Sequence, residues 1–130
     1  AMDVANKVVL VATQDVAAVR GAGMRIDILK RLGFPGDKIF LLINRYDRRS
    51  KVTLERISDA LGIPPSFTVP NDFRSVSSAL VRGLTLEEVS PDAKVTRAVA
   101  NVGRALFDLP PIPKKKGLFA GLFGGKKGKK

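Results

Sequence analysis

Two short apolar runs separated by a helical pattern constrain the fold of this chain most strongly. The runs, Val8 to Thr13 (VVLVAT) and Lys38 to about Asn44 (KIFLLIN), are too short for buried helices and are typical of strands covered on both faces. From Val16 to Leu32, apolar residues recur at helical spacing, and Gly33 with Pro35 supplies the stop. The residues that carry this spacing are Val16, Val19, Met24, Ile28 and Leu32. The pattern predicts strand, helix, strand.

The same alternation continues along the chain. We predict a helix at 53–61, a strand at 66–69, a helix near 74–81 and a last helix from the SPDA sequence to about Phe107. In that last helix, Ser90 would be the cap and Pro91 would take the first helical position. Strands and helices of this length indicate an α/β domain of βαβ units on a parallel sheet, which we assign to residues 1–109. Prolines at 110, 111 and 113 begin a separate tail, residues 110–130.

Composition excludes several kinds of chemistry. The chain has no histidine and no cysteine, so it lacks the commonest general base, thiolate metal ligands and disulfides. No apolar run approaches the roughly 20 residues that span a bilayer, and no signal peptide is visible, so we expect a cytoplasmic protein. The formal net charge is +11, but 7 of the 23 basic residues lie beyond Pro113, and the charge before Pro110 is only +4. The basic character therefore belongs mainly to the tail.

Polar residues follow each predicted strand. In an open parallel sheet, ligands bind outside the carboxyl ends of the strands. These ends carry Thr13, Gln14 and Asp15; Asn44 and Arg45; and Pro70, Asn71 and Asp72. An asparagine amide offers the donor and acceptor that the edge of a purine base requires, but the same residues also form turns and cap helices, as Asp72 could. Spacing alone does not decide between a ligand site and turns or caps. Four nearby arginines could form a basic rim around such a site or simply a solvated face: Arg45, Arg48, Arg49 and Arg74.

Three segments together resemble the C-terminal half of a MinD/ParA-type ATPase: VVLVATQDVAAVRGAGMRIDILKRLG, KIFLLINRYDRR and LERISDALGIPPSFTVPNDFRSVSSALVRGLTLEEVSPDAKV. More narrowly, NRYDRR and VPNDFRSVSSAL resemble the CpaE/TadZ group, which helps to position and assemble Flp (Tad) type IV pili. The likeness covers about residues 3–107 and implies a P-loop NTPase fold. It also implies that Asn44 contacts adenine and that the segment at Pro70 lies over the base. The candidate nucleotide-binding residues are therefore Asn44, Arg45, Pro70, Asn71 and Asp72.

The phosphate loop of that family is absent from this sequence. The tail sequence GLFGGKK lacks the spacing GxxxxGK followed by Ser or Thr. The resemblance places the loop and a magnesium-binding acid before residue 1, so we expect a fragment or a truncated gene product. We predict no catalytic residue and no metal ligand in this chain. ATP or ADP with Mg²⁺ would bind only with the first half present, and the full-length protein would be a homodimer. A half-sheet would also expose a strand edge.

The tail combines apolar pairs with lysine clusters. Leu118, Phe119, Leu122 and Phe123 would share one face of a helix, flanked by Lys114, Lys115, Lys116, Lys126 and Lys127. This arrangement suits an anionic membrane surface, and MinD-type proteins often end in such a segment. The alternatives are a solvated basic tail and nonspecific nucleic-acid binding.

These observations favour a Flp/Tad pilus assembly and localisation protein. It would be a MinD/ParA-like nucleotide switch on the cytoplasmic side of the inner membrane, with pilus-assembly proteins as partners and no specific nucleic acid. The alternatives are a nucleotide-free, membrane-associated adaptor or scaffold, another MinD/ParA-type positioning ATPase, and a basic nucleic-acid binder.

Overall fold

The computed structural model describes residues 5–113. Its elements are β1 (Val8–Ala12), α1 (Val16–Arg31), a 3-10 turn (Gly36–Lys38), β2 (Ile39–Tyr46), α2 (Leu54–Leu61), β3 (Phe67–Pro70), α3 (Phe73–Arg82), α4 (Leu86–Val89) and α5 (Lys94–Leu106). The strands form one sheet in the order β1-β2-β3, and both pairings are parallel. The predicted α/β class, with a parallel sheet and helices between the strands, is confirmed.

One face of the sheet is covered by α1 and α2. Leu41 and Ile43 of β2 are fully buried there, as is Ile57 of α2 at 1% exposure. They pack with Val19 and Ala22 of α1. Alternation along β2 sends these two strand residues to the same face, which explains why both meet the same helices.

The opposite face is covered mainly by α5. Leu42, which lies between Leu41 and Ile43, packs with Val69 of β3 and Val95 of α5. The side chains of Phe40 and Phe67 stack on neighbouring strands, with ring centroids 5.9 Å apart. Toward β1 the cover is thinner, since Val11 is 61% exposed. Within residues 5–113, β1 pairs only with β2, which leaves its outer edge open.

Helix α1 forms where the sequence predicts it, but most of the apolar residues whose spacing predicted the helix are exposed and do not pack against the sheet. Asp15 caps the helix by accepting a hydrogen bond from the Ala18 N–H at 2.8 Å. The buried residues are Val19, Ala22, Ile26 and Leu29, whereas Val16, Met24, Ile28 and Leu32 are 56–70% exposed. The true packing face follows the spacing 3, 4, 3 and includes a small alanine, which lets the helix approach the sheet closely.

The predicted start of the last helix is wrong. A short helix that the sequence interpretation missed, α4, begins at a capping box in which Thr85 and Glu88 bond to each other's backbone N–H groups. Ser90 ends this helix instead of starting the next one, and its carbonyl accepts a hydrogen bond from the Thr96 hydroxyl at 2.6 Å. Because α4 takes up the chain as far as Val89, α5 begins only at Lys94.

After α5 the chain turns back along that helix. Arg104 donates to the carbonyl of Pro110 at 2.5 Å, the Ile112 N–H donates to the side-chain oxygen of Asn101 at 2.8 Å, and Arg97 donates to the carbonyl of Pro113 at 2.6 Å. As the residue numbers rise from 110 to 113, the numbers of their hydrogen-bond partners on α5 fall from 104 to 97. Residues 110–113, named here the proline strap, therefore run antiparallel to α5. Within residues 5–113, no helix is both long and apolar enough to cross a bilayer.

The two-layer packing predicts unequal costs for two truncations in the sheet. Ile43→Ala removes a side chain that is 0% exposed and should lower the free energy of unfolding by about 2–5 kcal/mol. Val11→Ala removes one that is 61% exposed and should cost less than about 1 kcal/mol. Urea unfolding followed by circular dichroism measures both, and equal costs would contradict the packing described.

Candidate functional site

The carboxyl ends of the three strands surround one polar cavity of about 440 Å³. Parallel strands end at the same edge of a sheet, so residues far apart in sequence meet there. The lining residues are Thr13, Gln14, Asp15, Arg45, Asp47, Ser50 and Asn71. We call this the strand-end cavity. All seven side chains are polar or charged, so the cavity offers hydrogen bonds and little apolar surface.

Gln14 fixes one wall of the strand-end cavity. Its side-chain nitrogen donates to the Val52 carbonyl at 2.9 Å, and its side-chain oxygen accepts from the Asp47 N–H at 2.7 Å. One amide therefore ties both ends of the loop after β2 to the end of β1. The sequence interpretation identified Gln14 as a strand-end residue but missed Asp47 and Ser50 as cavity residues. These two could have been suggested by the polar run YDRRS directly after the strand.

The end of β2 is irregular, and the prediction that the strand stops at Asn44 is wrong. The strand continues to Tyr46, but its register with β3 shifts between Ile43 and Tyr46. Arg45 has a φ of 53°, in the left-handed region, and its N–H donates to the side-chain oxygen of Asn44 at 2.9 Å. This bulge places Arg45 in the lining of the strand-end cavity.

The structure places the five candidate nucleotide-binding residues differently. Arg45 and Asn71 line the cavity, whereas Asn44, Pro70 and Asp72 are not among its lining residues. Asn71 is held by its own N–H, which donates to the Tyr46 carbonyl at 3.2 Å. Asp72 caps α3: its two carboxylate oxygens accept from the Ser75 N–H at 3.0 Å and the Ser75 hydroxyl at 2.8 Å. The geometry thus gives Asp72 the cap role that the sequence left open.

Two carboxylates of the cavity are held in the ionised form. The pKa of Asp15 is lowered mainly by the hydrogen bond from the Thr13 hydroxyl and then by the Ala18 N–H. The pKa of Asp47 is lowered mainly by the Arg49 N–H and, to a lesser extent, by the Arg49 charge, whose Nε lies 3.5 Å from the carboxylate. Arg45 is the cation among the lining residues. With two anions and one cation, the cavity suits neutral hydrogen-bonding groups better than a chain of phosphates.

The described residues do not supply the phosphate side of a nucleotide site. Within residues 5–113, no group of three or more acidic, histidine or cysteine side chains is placed to hold a metal ion. No GxxxxGK[ST] loop occurs in the sequence. The strand-end cavity therefore offers hydrogen-bonding side chains, and the described residues add neither a metal-binding cluster nor a phosphate loop to it.

No family model matches the chain, and no curated protein matches it. Solved structures do. A ParA family ATPase from Chlorobium tepidum TLS matches with a TM-score of 0.72 and 23% identity, over 78% of this chain and 42% of that one. MinD in a MinC:MinD cell division complex from Aquifex aeolicus matches with a TM-score of 0.71 and 21% identity, over 89% and 48%. The fold is that of the ParA/MinD-type ATPases.

A third similar structure is that of a nucleotide-bound MinD. The septum site-determining protein MinD from Pyrococcus horikoshii OT3, complexed with Mg-ADP, matches with a TM-score of 0.60 and 22% identity, over 75% of this chain and 40% of that one. At these identities the likeness concerns the fold. The chain spans less than half the length of each of these ParA/MinD-type structures.

The Asp72 cap predicts an acid-dependent loss of stability. Its pKa lies below the ordinary value of 3.8, mainly because the Ser75 N–H bonds to the carboxylate. A lowered folded-state pKa contributes stability that is present above the unfolded value and lost as the pH falls through the folded value. Asp72→Asn keeps a capping oxygen without a titrating group. Urea unfolding should therefore show the wild type losing stability relative to Asp72→Asn below about pH 4.

Asp72→Ala provides the control, since it removes the cap at every pH. Parallel pH profiles for the wild type and Asp72→Asn would show that the carboxylate does not act as this cap.

Proposed function

We propose that this chain is the base-binding half of an adenine-nucleotide switch that serves the assembly and localisation of a Flp (Tad) pilus. The supporting observation is the strand-end cavity, which lies at the carboxyl edge of the sheet in a ParA/MinD-type fold. Ligands of open parallel α/β sheets bind at this edge. The similar MinD from Pyrococcus horikoshii, complexed with Mg-ADP, supports an adenine nucleotide as the ligand.

Asn71 is the residue best placed to read the base. Its side chain lines the cavity and carries both a donor and an acceptor, which adenine presents in complementary positions. The amide of Gln14 is engaged on both its oxygen and its nitrogen by the loop after β2, so we assign it to holding the wall. Arg45 lines the same cavity and its guanidinium can stack on the base.

Asn44 and Pro70 take supporting roles in this proposal. Asn44 accepts the Arg45 N–H and so stabilises the bulge that turns Arg45 toward the cavity. Pro70 ends β3 beside Tyr46 and offers a rigid apolar surface next to Asn71. Asp72 acts indirectly, because its cap positions α3 directly after this segment.

ATP hydrolysis is not part of the function proposed for this chain by itself. ATP or ADP with Mg²⁺ would bind to a protein that combines these residues with a phosphate loop. In such a protein the nucleotide would control dimerisation or membrane attachment, and the chain would serve to position other proteins. The sequences NRYDRR and VPNDFRSVSSAL support the pilus role, and the MinC:MinD complex of Aquifex aeolicus supports a protein partner in general.

The proposed location is the cytoplasmic face of the inner membrane. The support is the tail, with its leucine-phenylalanine pairs between lysine clusters. The residues proposed to bind the membrane lie outside the described residues: Leu118, Phe119, Leu122, Phe123, Lys114, Lys115, Lys116, Lys126 and Lys127.

Adenosine provides a direct test of base recognition, because it has no phosphate and needs no phosphate loop. Titrated into the isotope-labelled chain, adenosine should shift the NMR signals of Gln14, Arg45 and Asn71. A dissociation constant on the order of 1 mM is expected, corresponding to about −4 kcal/mol. Asn71→Ala should abolish the shifts, and guanosine should not reproduce them.

Ser78→Ala, a substitution on α3 away from the strand-end cavity, is the matched control and should bind adenosine as the wild type does. If adenosine shifts no signal around the cavity, base recognition fails. The nucleotide-free adaptor then becomes the better description of the chain.

A further inference from the structure

A second cavity lies on the other side of the molecule from α1, between α4, α5 and the proline strap. Its volume is about 340 Å³, and none of its lining residues belongs to the strand-end cavity. Leu86, Val99, Ala100 and Ile112 give it apolar walls, and Glu87 lies at its edge. Val99 is 48% exposed although it is a large aliphatic residue on a helix. We call this the α4–α5 cavity.

The proline strap ends beside this cavity, so the tail begins there. Ile112 is itself one of the lining residues, and the carbonyl of Pro113 accepts a hydrogen bond from Arg97, another lining residue. Three hydrogen bonds between α5 and the strap, at Pro110, Ile112 and Pro113, hold the strap against that helix. The 17 residues from 114 to 130 therefore begin at the edge of an apolar cavity.

Chain length favours the first apolar pair of the tail as the occupant. Leu118 follows Pro113 by five residues, which span at most about 18 Å when extended. That reach is comparable with the whole length of α5, which is about 20 Å for 13 residues. Leu122 and Phe123 would have to close a longer loop, at a higher cost in conformational entropy.

Charge favours the same occupant. The tail carries three lysines before the first apolar pair (Lys114, Lys115 and Lys116), and Glu87 lies exposed among the residues that line the cavity. The lining also contains a cation, Arg97, whose guanidinium donates to the carbonyl of Pro113. Exposed ion pairs contribute little by themselves, so burial of the apolar pair would supply most of the affinity, and the charges would orient the segment.

We propose that the α4–α5 cavity binds Leu118 and Phe119 of the chain's own tail, with the lysine cluster facing Glu87. The docked tail cannot present these two side chains to a lipid surface. An anionic membrane, which attracts the same lysines, would compete for the tail and release it. Only this release rests on the proposed membrane function, since docking itself is a property of the chain.

The test uses the absence of tryptophan from the sequence. Phe119→Trp introduces a single tryptophan whose emission reports its burial. In the whole chain, its emission should be shifted to the blue relative to a peptide of residues 114–130 with the same substitution. A second substitution, Val99→Lys, should return the emission to the peptide value, because it places a charge in the apolar wall. Circular dichroism verifies that the Val99→Lys chain is folded.

Phe123→Trp is the matched control, since it lies in the second leucine-phenylalanine pair, and its emission should not respond to Val99→Lys. Identical emission from the Phe119→Trp chain and the peptide would overturn the proposal. A blue shift that disappears on dilution would also overturn it, because the occupant would then be the tail of a second copy.

Vesicles that contain phosphatidylserine separate this proposal from the membrane function. If one chain in ten is undocked, Val99→Gln, which places a polar group in the same wall without adding a positive charge, should bind such vesicles about tenfold more tightly than the parent chain. If neither chain binds vesicles while the blue shift persists, the tail docks as proposed and the membrane function fails. Tighter vesicle binding by Val99→Gln without any blue shift in the parent would count against docking.

Discussion

The backbone hydrogen bonds of β2 are shared with β1 on one side and β3 on the other, and its side chains are covered on both faces. Leu41 and Ile43 face α1 and α2, and Leu42 faces α5. A strand in this position can neither slide nor rotate, because a shift of one residue would exchange its two faces. The positions of the helices, and of the loops that connect them to the sheet, follow from this burial.

The same constraint produces the strand-end cavity. Parallel pairing brings the ends of all three strands to one edge, and the bulge at Arg45 lets the last residues of β2 leave the regular ladder while Tyr46 still contacts β3. Gln14 then ties the loop after β2 back to β1. The result is a polar cavity in which Arg45 lies on β2 and Asn71, directly after β3, is tied to β2 by its backbone N–H.

The regular strands could be predicted from the sequence because burial on both faces leaves a continuous apolar run. The packing face of α1 could not be predicted in the same way. Val16, Met24, Ile28 and Leu32 are as apolar as the residues that pack, and only the position of α2 and the sheet decides between the two faces. Long-range contacts could not be predicted from the sequence either. Gln14, for example, forms hydrogen bonds with a loop more than 30 residues away.

The start of α5 shows how local signals compete. Ser90 and Pro91 form a good helix start by themselves, but the capping box at Thr85 begins a helix earlier and turns Ser90 into its end. The same competition between local signals applies to Asp72. Asp72 carries a side chain suited to either a ligand or a cap, and the N–H of Ser75 at 3.0 Å decides for the cap.

Photolabelling with an azido-adenosine probe tests the central claim most directly, because it reports where the base lies. Mass spectrometry of the labelled peptides should place the label on residues at the strand-end cavity, in the segments around Gln14, Arg45 and Asn71. Excess adenosine should remove this label and excess guanosine should not. A label on residues of α1 or α2 away from the strand-end cavity, or one that guanosine removes equally well, would contradict the assignment of this cavity to adenine.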